Sequence, residues 1–287
     1  MYAITGITGQ VGGALARHLL DAGESVRAVL RDARKGEEWA AQGCEVAVAG
    51  MDDAAALTKA FAGATAVFIL PPPAFDPEPG YPEARRLADT LVQALTAARP
   101  GRVLELSTIG ADAGQDNLLS QHTLLEAALR DLPLPLTILR PAWFVENAAW
   151  DVASARDQGV IRSFLTPTDR PVPMVATADI GRVAAELIRE DWSGQRVVEL
   201  EGPRRVSPDG LAAAFAAALG KPVRAEPVPR ESWEGLFRSQ GMKNPVPRIR
   251  MLDGFNEGWI EFRDGGRHAL KGRVEAAEVI AGLVARG

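Results

Sequence analysis

The 287-residue sequence holds one cysteine, two tyrosines and three histidines, and each scarcity removes a class of chemistry. A lone cysteine, Cys44, allows no intramolecular disulfide and no cysteine-based metal cluster; placed before an apolar run, it reads as a structural thiol at the start of a buried strand. His18, His122 and His268 are too scattered for ligand spacing, so no metal site is expected. Acidic side chains outnumber basic ones by 37 to 32, the net charge is −5, and no basic stripe stands out, which argues against a nucleic-acid surface. No apolar run approaches the roughly 18 residues that span a bilayer. The first β-prone run opens at Tyr2, which leaves no room for a signal peptide, and a cytoplasmic location is expected. What remains is an ordinary globular composition, 47% hydrophobic and 24% charged, long enough for a large α/β domain with a smaller lobe.

The most informative stretch is Tyr2 to Gly13, YAITGITGQVGG. Tyr2 to Ile4 are β-prone, Thr5 to Gly9 form a turn, and a helix from Gln10 turns Val11, Leu15, Leu19 and Leu20 inward. Gly6, Gly9 and Gly12 recur at GxxGxxG spacing, and each has its own task. Gly6 permits the bend, Gly9 lets a pyrophosphate reach backbone N–H groups, and Gly12 lets helix and strand approach. The helix N-terminus adds its positive dipole end. Thr8, Gln10 and Val11 belong to the same expected dinucleotide cradle.

TGxTGxxG near the N-terminus resembles the atypical short-chain dehydrogenase/reductase superfamily. LSTIG (106–110), LTILRPAWFVEN (136–147) and VATADIGRVA (175–184) narrow the resemblance to the NmrA-like branch, which mixes enzymes with redox-sensing regulators. The resemblance implies a Rossmann fold binding NAD(P).

The rest of the chain alternates strand and helix, predicting a doubly wound parallel sheet with right-handed crossovers. Strands are expected at Val26–Leu30, Cys44–Ala49, Ala64–Leu70, Arg102–Ser107 and Leu136–Leu139, and helices at Pro82–Ala98 and Asn117–Arg130. Residues 1–147 read as the cofactor domain. Residues 148–287 read as a smaller α/β lobe closing over it, some of whose strands rejoin the sheet. At the end of the second strand stands Arg31 rather than a carboxylate, with Arg34 and Lys35 nearby. Arginine pairs with a 2′-phosphate where an acid would accept a 2′-hydroxyl, so NADP(H) is expected over NAD(H). Relatives place the turn after strand three beside the adenine, making Met51 and Asp52 contact candidates, while Asp53 suits a helix cap. Pro71 to Pro73 end strand four and send a stiff loop over the sheet edge, where Leu70 and Pro71 border the ligand. Phe75 and Tyr81 on this loop line the pocket or staple the surface.

In superfamily members that reduce carbonyls, a tyrosine supplies the proton and a lysine four residues later lowers its pKa. Ser107 matches the accompanying serine. Alignment on Glu126 puts Leu118 at the tyrosine and His122 at the lysine, so the dyad is absent. His122 is left as the candidate proton donor or ribose contact, since histidine exchanges protons near neutrality. Pro141, Ala142 and Trp143 match the family segment beside the nicotinamide. Arg140 contacts that end or forms a structural ion pair, and Asp179 suits a structural acid at a helix start. Tyr81, Trp143, Phe144, Asn147, Asn256 and Trp259 are the substrate-pocket candidates. Two functions fit: an NADPH-dependent oxidoreductase for a small hydrophobic acceptor such as a quinone or enone, or a non-catalytic NADP(H) sensor that regulates a protein partner. The oligomeric state is not encoded legibly.

Overall fold

A computed structural model describes residues 1–286. The first part runs β1 (Tyr2–Thr5), α1 (Gln10–Asp21), β2 (Val26–Leu30), α2 (Gly36–Ala41), β3 (Glu45–Val48), α3 (Ala54–Phe61), β4 (Ala66–Ile69), α4 (Pro82–Ala98), β5 (Val103–Leu106), α5 (Ser120–Arg130) and β6 (Leu136–Pro141). It continues through β7 (Trp143–Phe144), α6 (Val152–Gln158), β8 (Val160–Ser163), β9 (Met174–Val175), α7 (Thr177–Arg189) and β10 (Gln195–Glu201). The chain then forms α8 (Pro208–Leu219), β11 (Arg224–Pro227), α9 (Trp233–Ser239), α10 (Val246–Glu257), β12 (Leu270–Lys271) and α11 (Ala276–Arg286).

Eight strands form one parallel sheet in the order β12-β10-β6-β5-β4-β1-β2-β3. The strands β1, β4 and β5 are buried along their whole length, as near-continuous apolar runs between two helical layers must be. One layer contains α1 and α7; α3, α4 and α5 cover the opposite face. The order reverses at β1, with β2 on one side and β4 on the other. The loops after these strands therefore diverge and leave a crevice.

α1 and α7 pack closely where Gly181 carries no side chain: a Cβ there would lie 2.4 Å from the Ala14 Cβ. At the start of α7, Asp179 accepts hydrogen bonds from the amides of Arg273 and Val274 at 2.7 and 2.8 Å. It is structural, holding the chain before α11.

Several boundaries shift from the sequence expectation. β3 is the outer edge strand and is half exposed, so Cys44, itself buried, precedes a strand that is not. α5 starts at Ser120 rather than 117, because the Asn117 side chain accepts from the Leu119 amide at 2.8 Å and holds a turn there. β10 lies in the sheet beside β6, and β12 forms its other edge. In the second half, α9 and α10 carry Trp233, Phe237, Ile249 and Leu252, which make a separate small core with Phe164 against it. No helix among the described residues is long and apolar enough to cross a membrane.

Candidate active site

At the β1–α1 turn the three glycines are used differently. Gly6 has φ of +64°, a left-handed conformation that its missing Cβ permits. Gly9 precedes α1 and donates from its amide to the Gly6 carbonyl at 2.9 Å. Gly12 packs α1 onto the turn, for a Cβ there would lie 2.3 Å from the Gly6 carbonyl oxygen. The bond from the Gly13 amide to the Gly9 carbonyl, 2.9 Å, closes the first turn of α1. The amides of Gln10, Val11 and Gly12 precede it and are the helix's unpaired donors. No acidic side chain sits in that turn, so the turn itself presents no charge against an incoming anion. Such a cradle, closed by backbone where any side chain would intrude, fits a dinucleotide pyrophosphate.

The crevice extends from this loop in two directions and measures about 1530 Å³, more than the ~300–1,000 Å³ of an ordinary small-molecule pocket. It has room for a dinucleotide and a second molecule. Gly6, Thr8, Gly9, Gln10, Val11, Arg31, Met51, Asp52, Leu70, Pro71, Ser107 and His122 line it, as do Phe75, Phe144 and Asn147.

At one end Arg31 is exposed and has no ion-pair partner among the described residues. Asp32, the acid that follows, is turned to Arg34 instead: it accepts from the Arg34 amide at 3.1 Å and from the Arg34 guanidinium at 3.2 Å. These hydrogen bonds hold its carboxyl below the ordinary value. Asp53 caps α3 by accepting from the Ala56 amide at 2.9 Å.

At the other end, β5, α5 and β6 converge on a buried ionic cluster. Arg140 donates Nε to Glu126 Oε1 at 2.8 Å and Nη2 to Oε2 at 2.6 Å, and its Nη1 reaches Asp112 at 2.5 Å. The Ser107 hydroxyl donates to Glu126 Oε1 at 2.5 Å. Burial alone would raise the Glu126 carboxyl, but Arg140 and Ser107 hold it below the ordinary value. Burial likewise works against the Arg140 charge, which Glu126 and Asp112 more than restore. Of the two roles open to Arg140, the structural ion pair is the one seen.

Beside this cluster His122 borders the crevice, with Nδ1 4.0 Å from Glu105 Oε1. Glu105 is wholly buried, and burial, partly offset by His122, pushes its carboxyl up to about 7. Sequence alone does not single out Glu105, because it sits in a strand of otherwise apolar residues; a carboxylate inside VLEL is the available signal.

Six candidates lie elsewhere, and each has a local reason. Tyr81 is buried, and its one hydroxyl proton is shared between Asp116 at 2.8 Å and the Asn117 carbonyl at 2.9 Å, which ties the proline-rich loop to the segment before α5. Burial, then the Asp116 bond, raise its phenol. Pro141 and Ala142 are held in the sheet, the Pro141 carbonyl accepting from the Ile109 amide and the Ala142 amide donating to the Leu200 carbonyl, both at 2.8 Å. Trp143 packs edge-on against Phe255 with ring centroids 5.2 Å apart. Asn256 donates to the Phe164 carbonyl at 2.8 Å and accepts from the Thr166 amide at 2.9 Å. The Trp259 ring donates to Glu257 at 2.8 Å and lies under the Arg250 guanidinium. Trp143 packs on the lobe, and Asn256 and Trp259 lie within it. Gly12 also stands behind the lining, as its packing task requires.

Sequence alone does not single out Glu146 and Thr177. Thr177 Oγ1 lies 2.6 Å from Glu146 Oε1 and 3.0 Å from Gln10 Oε1, and Glu146 also accepts from the Thr177 amide at 2.9 Å. Together they bind the start of α7 to the start of α1 at the crevice wall. Their sequence signal lies in the two segments WFVEN and VATADIG, 31 residues apart, which only folding brings together.

The family model described as "NmrA-like family" matches residues 2–247. Over 230 residues the chain is 30% identical to a (4-alkanoyl-5-oxo-2,5-dihydrofuran-3-yl)methyl phosphate reductase of Streptomyces griseus, covering 79% of this chain and 76% of that protein. It is 28% identical over 246 residues to quinone oxidoreductase 2 of Escherichia coli, covering 84% and 82%. A crystal structure of an NADPH-dependent quinone oxidoreductase from Escherichia coli, complexed with NADPH, shares the fold with a TM-score of 0.81 at 24% identity over 99% of both chains.

Proposed function

The chain belongs to the NmrA-like family, and on that premise we propose that it is an NADP(H)-dependent oxidoreductase for a small hydrophobic acceptor of the quinone or enone class. The observation that carries this reading is the extent of the crevice: it continues past the glycine loop to a wall containing Phe75, Phe144, Asn147 and His122. A sensor needs only the dinucleotide part. The names of the two relatives, a reductase and a quinone oxidoreductase, support the same reading.

In this proposal residues 1–147 hold the cofactor and residues 148–287 complete the acceptor side. The glycine loop and the start of α1 receive the pyrophosphate, and Arg31 receives the 2′-phosphate, which makes NADP(H) the preferred cofactor. When bound, the nicotinamide supplies a hydride. Phe144 and Phe75 offer aromatic surface that would hold a flat acceptor, and positioning of that kind can supply much of the rate. Ser107, its hydroxyl donating to Glu126, stabilises the floor. Metal, nucleic-acid and membrane partners form no part of the reading, and a cytoplasmic location belongs to it.

The second reading, a non-catalytic NADP(H) sensor acting on a protein partner, draws on Leu118, an apolar crevice residue at the position of the superfamily's tyrosine. NADPH absorbance followed against a panel of quinones and enones separates the two. Turnover that falls in Phe144→Ala is the expected result. A flat trace across the panel, with tight NADPH binding verified by calorimetry in the same sample, would make the sensor the better reading.

A further inference from the structure

Among the described residues Glu105 is the acid whose carboxyl is buried with no hydrogen-bond partner. Neither carboxyl oxygen has a hydrogen-bond partner, and its strand neighbours in register are Ile69 and Ile138. Alternation along β5 sends its side chain to the face covered by α4 and α5, opposite Leu104 and Leu106. There the Nδ1 of His122 is also sealed from solvent without a partner. The 4.0 Å between Nδ1 and Oε1 exceeds a hydrogen bond by about 1 Å, a gap that a modest ring movement closes. The His122 side chain is 28% exposed and borders the crevice, so the ring edge carrying Nε2 faces the ligand space. A buried acid behind a histidine that opens onto a crevice is the geometry of a proton line.

We propose that Glu105 and His122 share a proton and deliver it to the acceptor, with His122 as the donor at Nε2 and Glu105 as the reserve behind Nδ1. The proposal rests on the reductase reading for its acceptor, while the sharing of the proton stands apart from it. When bound, the reduced nicotinamide dinucleotide would supply two electrons as a hydride, its C–H bond breaking as a C–H bond forms on the acceptor's conjugated carbon, and the conjugated π pair would move onto the carbonyl oxygen. The Nε2–H bond of His122 breaks as an O–H bond forms. The Glu105 O–H bond breaks as an Nδ1–H bond forms, so the imidazole stays neutral throughout. One proton from crevice water, entering at Nε2 and passing on through Nδ1, then restores the carboxyl. Burial keeps Glu105 protonated close to neutrality, where an ordinary glutamate would be empty.

The groups that face Glu105 are few. His122 and Glu126 act on it from α5 and Arg140 from β6, the last two tied to each other. α4 brings Arg86 and Asp89 to the crevice lining.

The test uses the full-length protein with NADPH and 2-methyl-1,4-naphthoquinone. Glu105→Gln keeps the shape and loses the proton. It is expected to lower kcat roughly tenfold or more, at the lower end or below the usual range for general acid catalysis, with NADPH affinity unchanged. The decline of kcat on raising the pH through neutrality should disappear in the same variant. In parallel, the His122 ring signals are followed by NMR against pH without acceptor. Two coupled steps in the parent, reduced to one in Glu105→Gln, support the shared proton. Parental kcat and pH profile in Glu105→Gln would overturn the delivery step, and an identical His122 titration in both proteins would overturn the sharing. A parent that turns over no acceptor defeats the reductase reading, and the NMR titration then decides the pair alone. Should Glu105→Gln not fold, the infrared band of the protonated carboxyl in the parent takes its place. Loss of that band on titration through neutrality, displaced in His122→Gln, supports the pair, and a band that does not respond to His122→Gln overturns it.

Discussion

Arg140 grips Glu126 through two side-by-side hydrogen bonds, and both side chains are almost sealed from water, 3% and 5% exposed. This bidentate pair fastens β6 to α5 and, through Ser107, reaches the end of β5. Removing Glu126 leaves the buried Arg140 with only the partly exposed Asp112 beside it, so Glu126→Ala is expected to cost about 3–5 kcal/mol in denaturant unfolding. Asp112→Asn should cost much less, because Asp112 is 37% exposed. Equal losses for the two would show that the pair does not anchor the cluster.

The packing of Gly12 on Gly6 makes a sharp contrast available. Gly12→Ala puts a methyl 2.3 Å from a backbone oxygen that cannot move without shifting α1. A loss of about 1–3 kcal/mol in stability is expected, together with a fall in NADPH affinity of roughly tenfold or more. Gly114→Ala meets nothing within 4 Å and serves as the control. Calorimetric titration beside thermal unfolding measures both effects, and wild-type affinity in Gly12→Ala would contradict the role of the turn.

Cofactor choice follows from Arg31. A charge-assisted contact to a 2′-phosphate contributes about 1.5–3 kcal/mol, hence roughly tenfold or more in affinity for NADPH over NADH. Arg31→Ala should reduce that ratio chiefly by weakening NADPH. Equal affinities of the unmodified protein for the two cofactors would end the argument.

Glu105 makes stability depend on pH in an unusual direction. Its carboxyl rises from an ordinary 4.5 to about 7 on folding, so between those values the folded chain holds a proton that the unfolded chain has lost. Its contribution is complete below about pH 4.5 and is lost as pH rises through about 7, a change on the order of 3 kcal/mol. Urea unfolding of the parent and Glu105→Gln from pH 5 to 8 is the measurement, and the difference between them should shift in favour of the glutamine variant as pH rises. A difference independent of pH would mean that the carboxyl is ionised throughout.

Adjacent aromatic residues should behave differently when truncated. Trp143 packs on Phe255, whereas Phe144 lines the crevice. Trp143→Ala is expected to cost about 3–5 kcal/mol of stability at most, with the acceptor KM little changed in the folded fraction. Phe144→Ala should raise the acceptor KM with a smaller stability loss. Steady-state kinetics with thermal unfolding on both variants would reveal the reverse pattern if the assignment were wrong.

Much of this protein was determined locally and is therefore readable in its sequence. The glycine spacing from Gly6 to Gly12 states its own backbone requirements, and a short apolar run such as Ala66–Ile69, closed soon after by Pro71 to Pro73, suits an interior strand of a parallel sheet. Arg31 follows β2 directly, so its place at the crevice needs nothing beyond the strand's direction. The tertiary structure alone decided which side chains the crevice would receive from distant segments. Tyr81, Trp143, Asn256 and Trp259 are as plausible in sequence as Phe144 and Asn147, but a polar group or ring near a cleft is drawn first to satisfy its own hydrogen bonds and packing. Their partners, Asp116, Phe255, Phe164 and Glu257, become neighbours or acquire the right geometry only in the folded chain. Glu105 shows the same limit from the opposite side. Its carboxyl carries no special signal in VLEL until two helical layers close over β5 and leave it facing His122, 17 residues away in sequence and 4.0 Å away in space.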